Sequence, residues 1–279
     1  LKIVGRATTA VSNLPAVEFA GGTIVGRLFD RHHPRPVEAI DEAESGQILD
    51  SRGQRLIDRY WGGYVAILNP SETETAILRA PFGELPCYHL DLDGGTVCAS
   101  DAGLLAEAGF LRAQLAWDAV IRELAWRDVR GRETCLSGVR GLRGGDRLVT
   151  ADQGSRVDTL WSPWDIAAAD DAFSTSEISD RLRREVMACI AARTSVFDHV
   201  LLLLSGGLDS SIVAASLAHG RTRFSLATFT TRDLLGDERE YAEAVADTSR
   251  HPLHEAMREV GRIDPERSTA ARMPRPSGR

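Results

Sequence analysis

Lysine is almost missing from this chain of 279 residues: Lys2 is the only one, and arginine carries the rest of the positive charge. Chemistry that needs a lysine deep in a site is thereby excluded from nearly all of it. Cysteine is scarce as well. Cys87, Cys98, Cys135 and Cys189 stand far apart, with no CxxC pair and no Cys/His ligand grouping, so zinc motifs and dithiol redox motifs are both lacking. Reduced thiols in a cytoplasmic protein are the expectation. No apolar run approaches the roughly 20 residues of a membrane span, and the first residues lack the charged-then-apolar layout of a signal peptide. Basic blocks are lacking too. The 40 acids outnumber the 33 bases, giving a net charge of −7, and no arginine cluster would track a nucleic-acid backbone. A small molecule or a peptide is the expected substrate.

What is present suits two globular domains: 43% of the residues are hydrophobic and 26% charged, enough for each domain to bury a core. The first half reads as short strands between turns. Gly22 to Asp30 is a β-rich run, and "YVAIL" and "TAILR" flank the turn residues Asn69, Pro70, Ser71 and Glu72, which predicts a hairpin. A second hairpin is predicted for "CYHLDL" and "TVCAS" around Asp93-Gly94-Gly95. Helices are expected from Asp101 to Gly109 and from Trp117 to Trp126, the latter with Trp117, Val120, Ile121 and Leu124 on one core-facing side. The strand-like runs "DRLVT" and "VDTLW" follow. Residues 162 to 173 have no clear period and read as a linker between a domain at 1–161 and a domain at 174–279.

After the linker the pattern changes. Ser174 and Glu177 fit a capping box, and Ile178, Leu182, Val186 and Ile190 recur at helical spacing. The apolar run Val200 to Leu204, a helix from about Asp209, the strand "FSLATF", the helix "DEREYAEAVADTS" and the strand "PLHEAM" then alternate. That order predicts an α/β fold with a mostly parallel sheet covered on both faces.

The chemistry sits in "SGGLDSS", between the run ending at Leu204 and the next helix. An α/β sheet places its ligands beyond the carboxyl end of a strand. Gly206 and Gly207 let backbone N–H groups approach an anion, and the helix start offers unpaired donors and the positive end of its dipole. Ser205, Ser210 and Ser211 add hydroxyls. Asp209 is compatible with phosphate only through a cation, which implies Mg²⁺. The stretch is neither a GxxxxGK[ST] loop nor a GxGxxG loop. His32 and His33 precede Pro34 in a polar stretch and read as solvated loop residues.

This loop resembles the pyrophosphate-binding loop (PP-loop) of the ATP pyrophosphatases, which cleave ATP between its α and β phosphates to form an adenylate. The resemblance implies that Ser205, Gly206, Gly207, Leu208, Asp209, Ser210 and Ser211 hold the phosphates of ATP, with Asp209 on the metal. "LATFT" resembles the strand whose backbone borders the adenine, which brings Thr228 and Phe229 to the site. "GDEREYAEAVA" is similar to the next helix of the asparagine synthetases, and the histidine-rich strand start that follows makes His251 and His254 further candidates. "RYWGGYVAIL", "LRAPFGELPCYH", "VCASDAGLL", "GVRGLRGGDRLV" and "LWSPW" resemble, in order, the amidotransferase-like half of the same family. The implied architecture is an α+β amidotransferase-like (Ntn-type) domain followed by an α/β PP-loop ATP pyrophosphatase domain that is incomplete at its C-terminus. Ala80 departs from the family's R-D-P pattern. Leu1 stands where glutamine hydrolysis needs a cysteine, and Cys87 and Cys98 fall in predicted strands as core residues. "IVGRLFDRHH" and "ARMPRPSGR" most resemble the lasso-peptide macrolactam synthetases. For these the substrate would be an acidic peptide, with a precursor-binding protein as a possible partner; asparagine synthesis from aspartate, and a catalytically silent ATP-binding remnant, are the alternatives.

Overall fold

The computed structural model describes residues 12–33, 35–126, 131–151, 154–167, 173–231, 237–259, 261, 264, 267 and 273–275. The chain divides into two compact units, one of Leu1–His33, Val37–Ala169 and Pro265–Arg279, the other of Pro34–Pro36 and Asp170–Asp264.

The first unit opens with β1 (Ala16–Phe19) and β2 (Gly22–Asp30), then α1 (Glu42–Asp50), α2 (Gln54–Arg59), β3 (Tyr60–Ser71) and β4 (Glu74–Arg79). Next come β5 (Tyr88–Leu92), β6 (Gly95–Ala99), α3 (Ala102–Glu107), α4 (Trp117–Ala125), β7 (Arg140–Gly141), β8 (Asp146–Ala151), β9 (Gly154–Thr159) and the short α5 (Pro163–Ala167), which falls inside the expected linker. One sheet has the order β1-β2-β3-β4-β8-β9, and the other β6-β5-β7. All their pairings are antiparallel.

Alternation along β4 and β8 explains the layering. Ala76, Leu78 and Val149 point one way, into a core with Ile48, Leu56 and Ile57 of α1 and α2. Ile77 and Leu148 point the other way and meet Cys87, Leu142 and Cys98 of the second sheet's side. The far face of that second sheet packs Tyr88, Leu90 and Val97 on Leu105 of α3 and on Leu111. Two sheets thus lie face to face between outer helices.

Both expected hairpins form, with one adjustment. The β5–β6 turn is Asp93-Gly94, between Leu92 and Gly95, and Gly94 supplies the positive φ of 92°. The β3–β4 turn lies at Glu72-Thr73, later than the sequence suggests, because Asn69 and Pro70 are absorbed into a register shift between Leu68 and Ser71. Proline lacks the N–H a regular ladder needs and is tolerated at such an irregularity.

Helix α4 corrects a second expectation. Trp117, Ile121 and Leu124 do share a face, yet they are 65%, 64% and 58% exposed. The face turned inward carries Ala119, which is buried, and Glu123, which pairs with Arg275 at 3.2 Å. Cys135 N–H donates to Pro274 O at 2.8 Å, so this short C-terminal stretch packs against the first unit at two points. Periodicity identifies which side chains are together; it does not identify which side faces in.

His89 on β5 is 1% exposed, and neither ring nitrogen meets a hydrogen-bond partner. Burial holds its pKa below the ordinary 6.5, Asp91 opposes that, and Arg140 and Arg132 reinforce it. The neutral ring is therefore the folded form. The unfolded chain binds this proton more readily, so stability is expected to fall as pH drops below 6.5 and to go on falling until the lower folded pKa is passed. Thermal denaturation between pH 7.5 and 5.5 checks this: His89→Leu should flatten the decline relative to the unsubstituted chain.

The second unit begins with α6 (Thr175–Thr194), whose start is the expected capping box: Ser174 Oγ accepts from Glu177 N–H, and Glu177 Oε2 accepts from Ser174 N–H at 2.9 Å. Then β10 (His199–Leu203), α7 (Leu208–Ala218), β11 (Arg223–Thr230), α8 (Arg239–Ser249) and β12 (Leu253–Met257) alternate. The sheet is parallel, in the order β10-β11-β12. Leu204, Leu226 and Phe224 form its core with Ala214 and Leu217 of α7 and Ala242 and Ala246 of α8, joined by Ile190 of α6. The opposite face is open among the described residues, with Leu201, Leu203 and Phe229 63%, 53% and 53% exposed. The expected cover on both faces is therefore corrected to cover on one. Right-handed crossovers stepping the same way along a sheet put their helices on the same side, and only a reversal of strand order would cover the other.

Candidate nucleotide site

The loop 205–207 leaves the carboxyl end of β10, which pairs with β11 at one edge of the described sheet. Leu204 N–H donates to Ala227 O at 2.7 Å, carrying the β10–β11 pairing one residue further. The chain then turns at Gly206, whose φ is +76°, and Gly207 caps α7 from an extended conformation with no side-chain acceptor of its own. The N–H groups of Leu208, Asp209 and Ser210 occupy the first turn, where an α-helix provides no intrahelical partner. These donors and the N-terminal end of the helix dipole face the loop.

The serines knit the loop together. Ser205 Oγ and Ser210 Oγ lie 3.1 Å apart, Gly207 N–H donates to Ser205 Oγ at 3.3 Å, and Ser210 Oγ donates to Gly207 O at 3.1 Å. Ser211 Oγ donates to Gly207 O at 2.8 Å. The hydroxyls thus hold the turn in shape and take up the N–H groups of Ser205 and Gly207, leaving the first-turn N–H groups of α7 as the anion donors. Asp209 and Leu208 are exposed.

Gly206 is packed closely on its inner side. A Cβ built there would lie 2.3 Å from Tyr241 Cβ, 2.7 Å from Tyr241 C and 2.8 Å from Ala242 N, on the first turn of α8. Only a residue without a side chain fits. Tyr241 itself is absent from the residues singled out in the sequence; an aromatic two places into the helix after the second strand is the signal that points to it.

Thr228 and Phe229 lie on β11 beside the loop, one and two residues past Ala227, the register partner of Leu203. They point to opposite faces: Thr228 is 3% exposed on the helix-covered side, whereas Phe229 is on the open side. Thr228 can therefore offer a ligand only its backbone. His251 lies elsewhere. It precedes β12, stacks on Phe224 with ring centroids 4.0 Å apart, and bonds Ser249 O through Nδ1 at 2.7 Å, near the amino ends of the strands. His254 sits on exposed β12, in register with Ala227.

Mg²⁺ fits the loop in one way. Among the described residues no group of three or more His, Cys, Asp or Glu side chains could hold a metal ion, so a protein cage is not on offer. Mg²⁺ commonly takes one or two carboxylates with the remaining positions filled by water and substrate phosphates, and Asp209 beside the unpaired N–H donors meets that pattern.

Cys87 lies just before β5 rather than within a strand, while Cys98 is on β6, and neither is presented as a nucleophile. Cys87 is buried, and hydrogen bonding to Cys87 together with burial pushes the Cys98 thiol well above its ordinary range; a protonated thiol is a poor nucleophile. His32 and His33 are exposed, and both donate backbone N–H to Asp30 Oδ1, at 2.8 and 3.1 Å.

Residues 181–260 match the family model described as asparagine synthase, a span that runs from within α6 through β12 and contains the loop. No curated protein matches the chain. Among solved structures, glutamine phosphoribosylpyrophosphate (PRPP) amidotransferase from B. subtilis, complexed with ADP and GMP, is 11% identical, with 90% of this chain and 50% of that chain covered and a TM-score of 0.32. A structure described as the allosteric regulatory enzyme of purine biosynthesis is 10% identical, with 86% of this chain and 61% of that chain covered and a TM-score of 0.33. The chain therefore spans half to three fifths of the length of these two, and scores this low give no ground for comparing geometry.

Proposed function

We propose that the second unit carries the nucleotide-activating loop of an ATP-dependent carbon-nitrogen ligase related to the asparagine synthetases. The observation that carries the reading is the strand–SGGLDSS–helix turn at the carboxyl end of β10, lying within the span that matches the asparagine synthase model. In the first unit, the two face-to-face sheets between outer helices support the amidotransferase-like expectation for that half.

The reaction would run through an acyl-adenylate. A carboxylate oxygen attacks the α phosphorus of ATP, the bond to the bridging oxygen breaks, and pyrophosphate leaves; an amine then attacks the acyl carbon and AMP departs. Charge would accumulate on the leaving pyrophosphate, and the N–H groups of the first turn of α7 would stabilise it there. Mg²⁺ held by Asp209 and phosphate oxygens would supply the remaining neutralisation. The backbone of β11 at Thr228 and Phe229 would border the adenine. For the acceptor we favour peptide macrolactam formation on an acidic side chain, on the strength of "IVGRLFDRHH" and "ARMPRPSGR"; asparagine synthesis is the second choice.

Exchange of labelled pyrophosphate into ATP tests this, with candidate acidic peptides or aspartate supplied. Carboxylate-dependent exchange that falls at least tenfold in Asp209→Asn is the expected result. A correctly folded chain that shows no exchange with either substrate would remove the ligase reading.

A further inference from the structure

Gly206 has two constraints that are independent of each other. Its positive φ belongs to the loop, whereas the space it lacks is taken by another element: Tyr241 Cβ and the backbone of Tyr241 and Ala242 close the inner side. The first turn of α8 is itself fastened. Arg239 Nε donates to both oxygens of Asp237 at 2.9 Å, and Arg239 Nη1 reaches Glu255 Oε2 on β12 at 3.5 Å. The loop therefore rests on a turn that is tied to the neighbouring strand, while its other two attachments are β10 and α7. Tyr241 is 66% exposed, so the helix has no need of this side chain for its own core; Ala242 and Ala246 supply that.

We infer that Tyr241 is a positioning residue for the phosphate loop: its Cβ and the first turn of α8 form the seat of Gly206 and so fix the direction of the loop's N–H groups. The inference rests on the nucleotide reading above. It adds that the affinity of the loop for phosphate is set from α8, an element that contributes none of the phosphate donors.

Titration calorimetry of the whole chain with magnesium pyrophosphate, with thermal denaturation of each variant alongside, separates seating from general helix stability. Tyr241→Phe keeps the Cβ and should bind within twofold of the unsubstituted chain. Tyr241→Gly removes the seat and should bind about tenfold more weakly. Ala244→Gly, three residues further along the exposed side of α8, loses at least as much helix propensity without touching the loop and should bind within twofold. Equal weakening by Tyr241→Gly and Ala244→Gly, or none by Tyr241→Gly, overturns the seating role alone. A tenfold loss in Tyr241→Phe overturns it too, since the hydroxyl would then be the active group. Absence of pyrophosphate binding by the unsubstituted chain overturns both this inference and the nucleotide reading.

Discussion

Gly206→Ala is expected to weaken magnesium pyrophosphate binding at least a hundredfold and to remove detectable ATP–pyrophosphate exchange. The added methyl has nowhere to go. It would meet Tyr241 Cβ at 2.3 Å and two backbone atoms under 3 Å, and backbone cannot swing aside as the end of a flexible side chain can. Overpacking of this kind costs about 1 to 3 kcal/mol, and an L-residue in the left-handed region adds about 1 to 2 kcal/mol. The loop has a cheaper escape, which is to lift off α8 and abandon its conformation. The loss should therefore fall more on binding than on stability, and a modest shift in urea midpoint beside a collapse in affinity is the result to look for. Combining the change with Tyr241→Gly should recover part of the binding, because the methyl would then occupy the space of the missing Cβ. Retention of full affinity in Gly206→Ala would mean that the loop's geometry is not what holds the phosphates.

Asp146→Ala is expected to destabilise the first unit by about 3 kcal/mol, the lower end of what breaking a buried ion pair costs. Asp146 is fully buried and uses both oxygens: Arg132 Nε and Nη2 donate at 2.8 Å each, Thr159 Oγ1 at 2.9 Å and Arg143 N–H at 2.9 Å. One carboxylate thus fixes the start of β8, the end of β9 and the segment before β7. Arg132 retains one third of its exposure and can turn toward water once its partner is gone, which keeps the loss from being larger. Burial pushes the Asp146 pKa up, but the Arg132, Arg143 and Thr159 hydrogen bonds outweigh it and the net shift is downward. Its contribution is therefore complete above the ordinary 3.8 and is lost as pH falls from there through the folded value. That window lies well below the one set by His89, so urea denaturation at pH 7, 5.5 and 3.5 distinguishes the two. The deficit of Asp146→Ala should be equal at pH 7 and 5.5 and should only begin to shrink at pH 3.5, because the rest is lost at the still lower pH of the folded value.

Much of the local structure was legible because it depends on near neighbours. The capping box at Ser174 and Glu177, the Asp93-Gly94 turn and the glycine stop after α3 are each settled within a few residues, where cap acceptors and positive φ are properties of the segment itself. The loop 205–211 was legible for the same reason: an apolar run, two glycines and a helix start suffice to define it. Tyr241 was not, because its importance comes from a contact with Gly206, more than thirty positions earlier, and nothing in "REYAEAVA" states which residue lies behind it. The placement of His251 was equally hidden, since its distance from the loop depends on which end of β12 it precedes.

The sequence by itself determined the order of elements, the change of grammar near the linker, and a strand–glycine–helix turn at Ser205 to Ser211. Tertiary structure decided the facing of what those elements carry. The apolar stripe of α4 points outward because Ala119 and the Glu123–Arg275 pair occupy the inner side, and among the described residues the parallel sheet is covered on one face because β10, β11 and β12 follow one another without a reversal. The periods of 3.6 and 2 state which side chains share a face, and alternation of strands and helices states that a sheet forms. Strand order and the inward face are set by long-range packing, which no local pattern encodes.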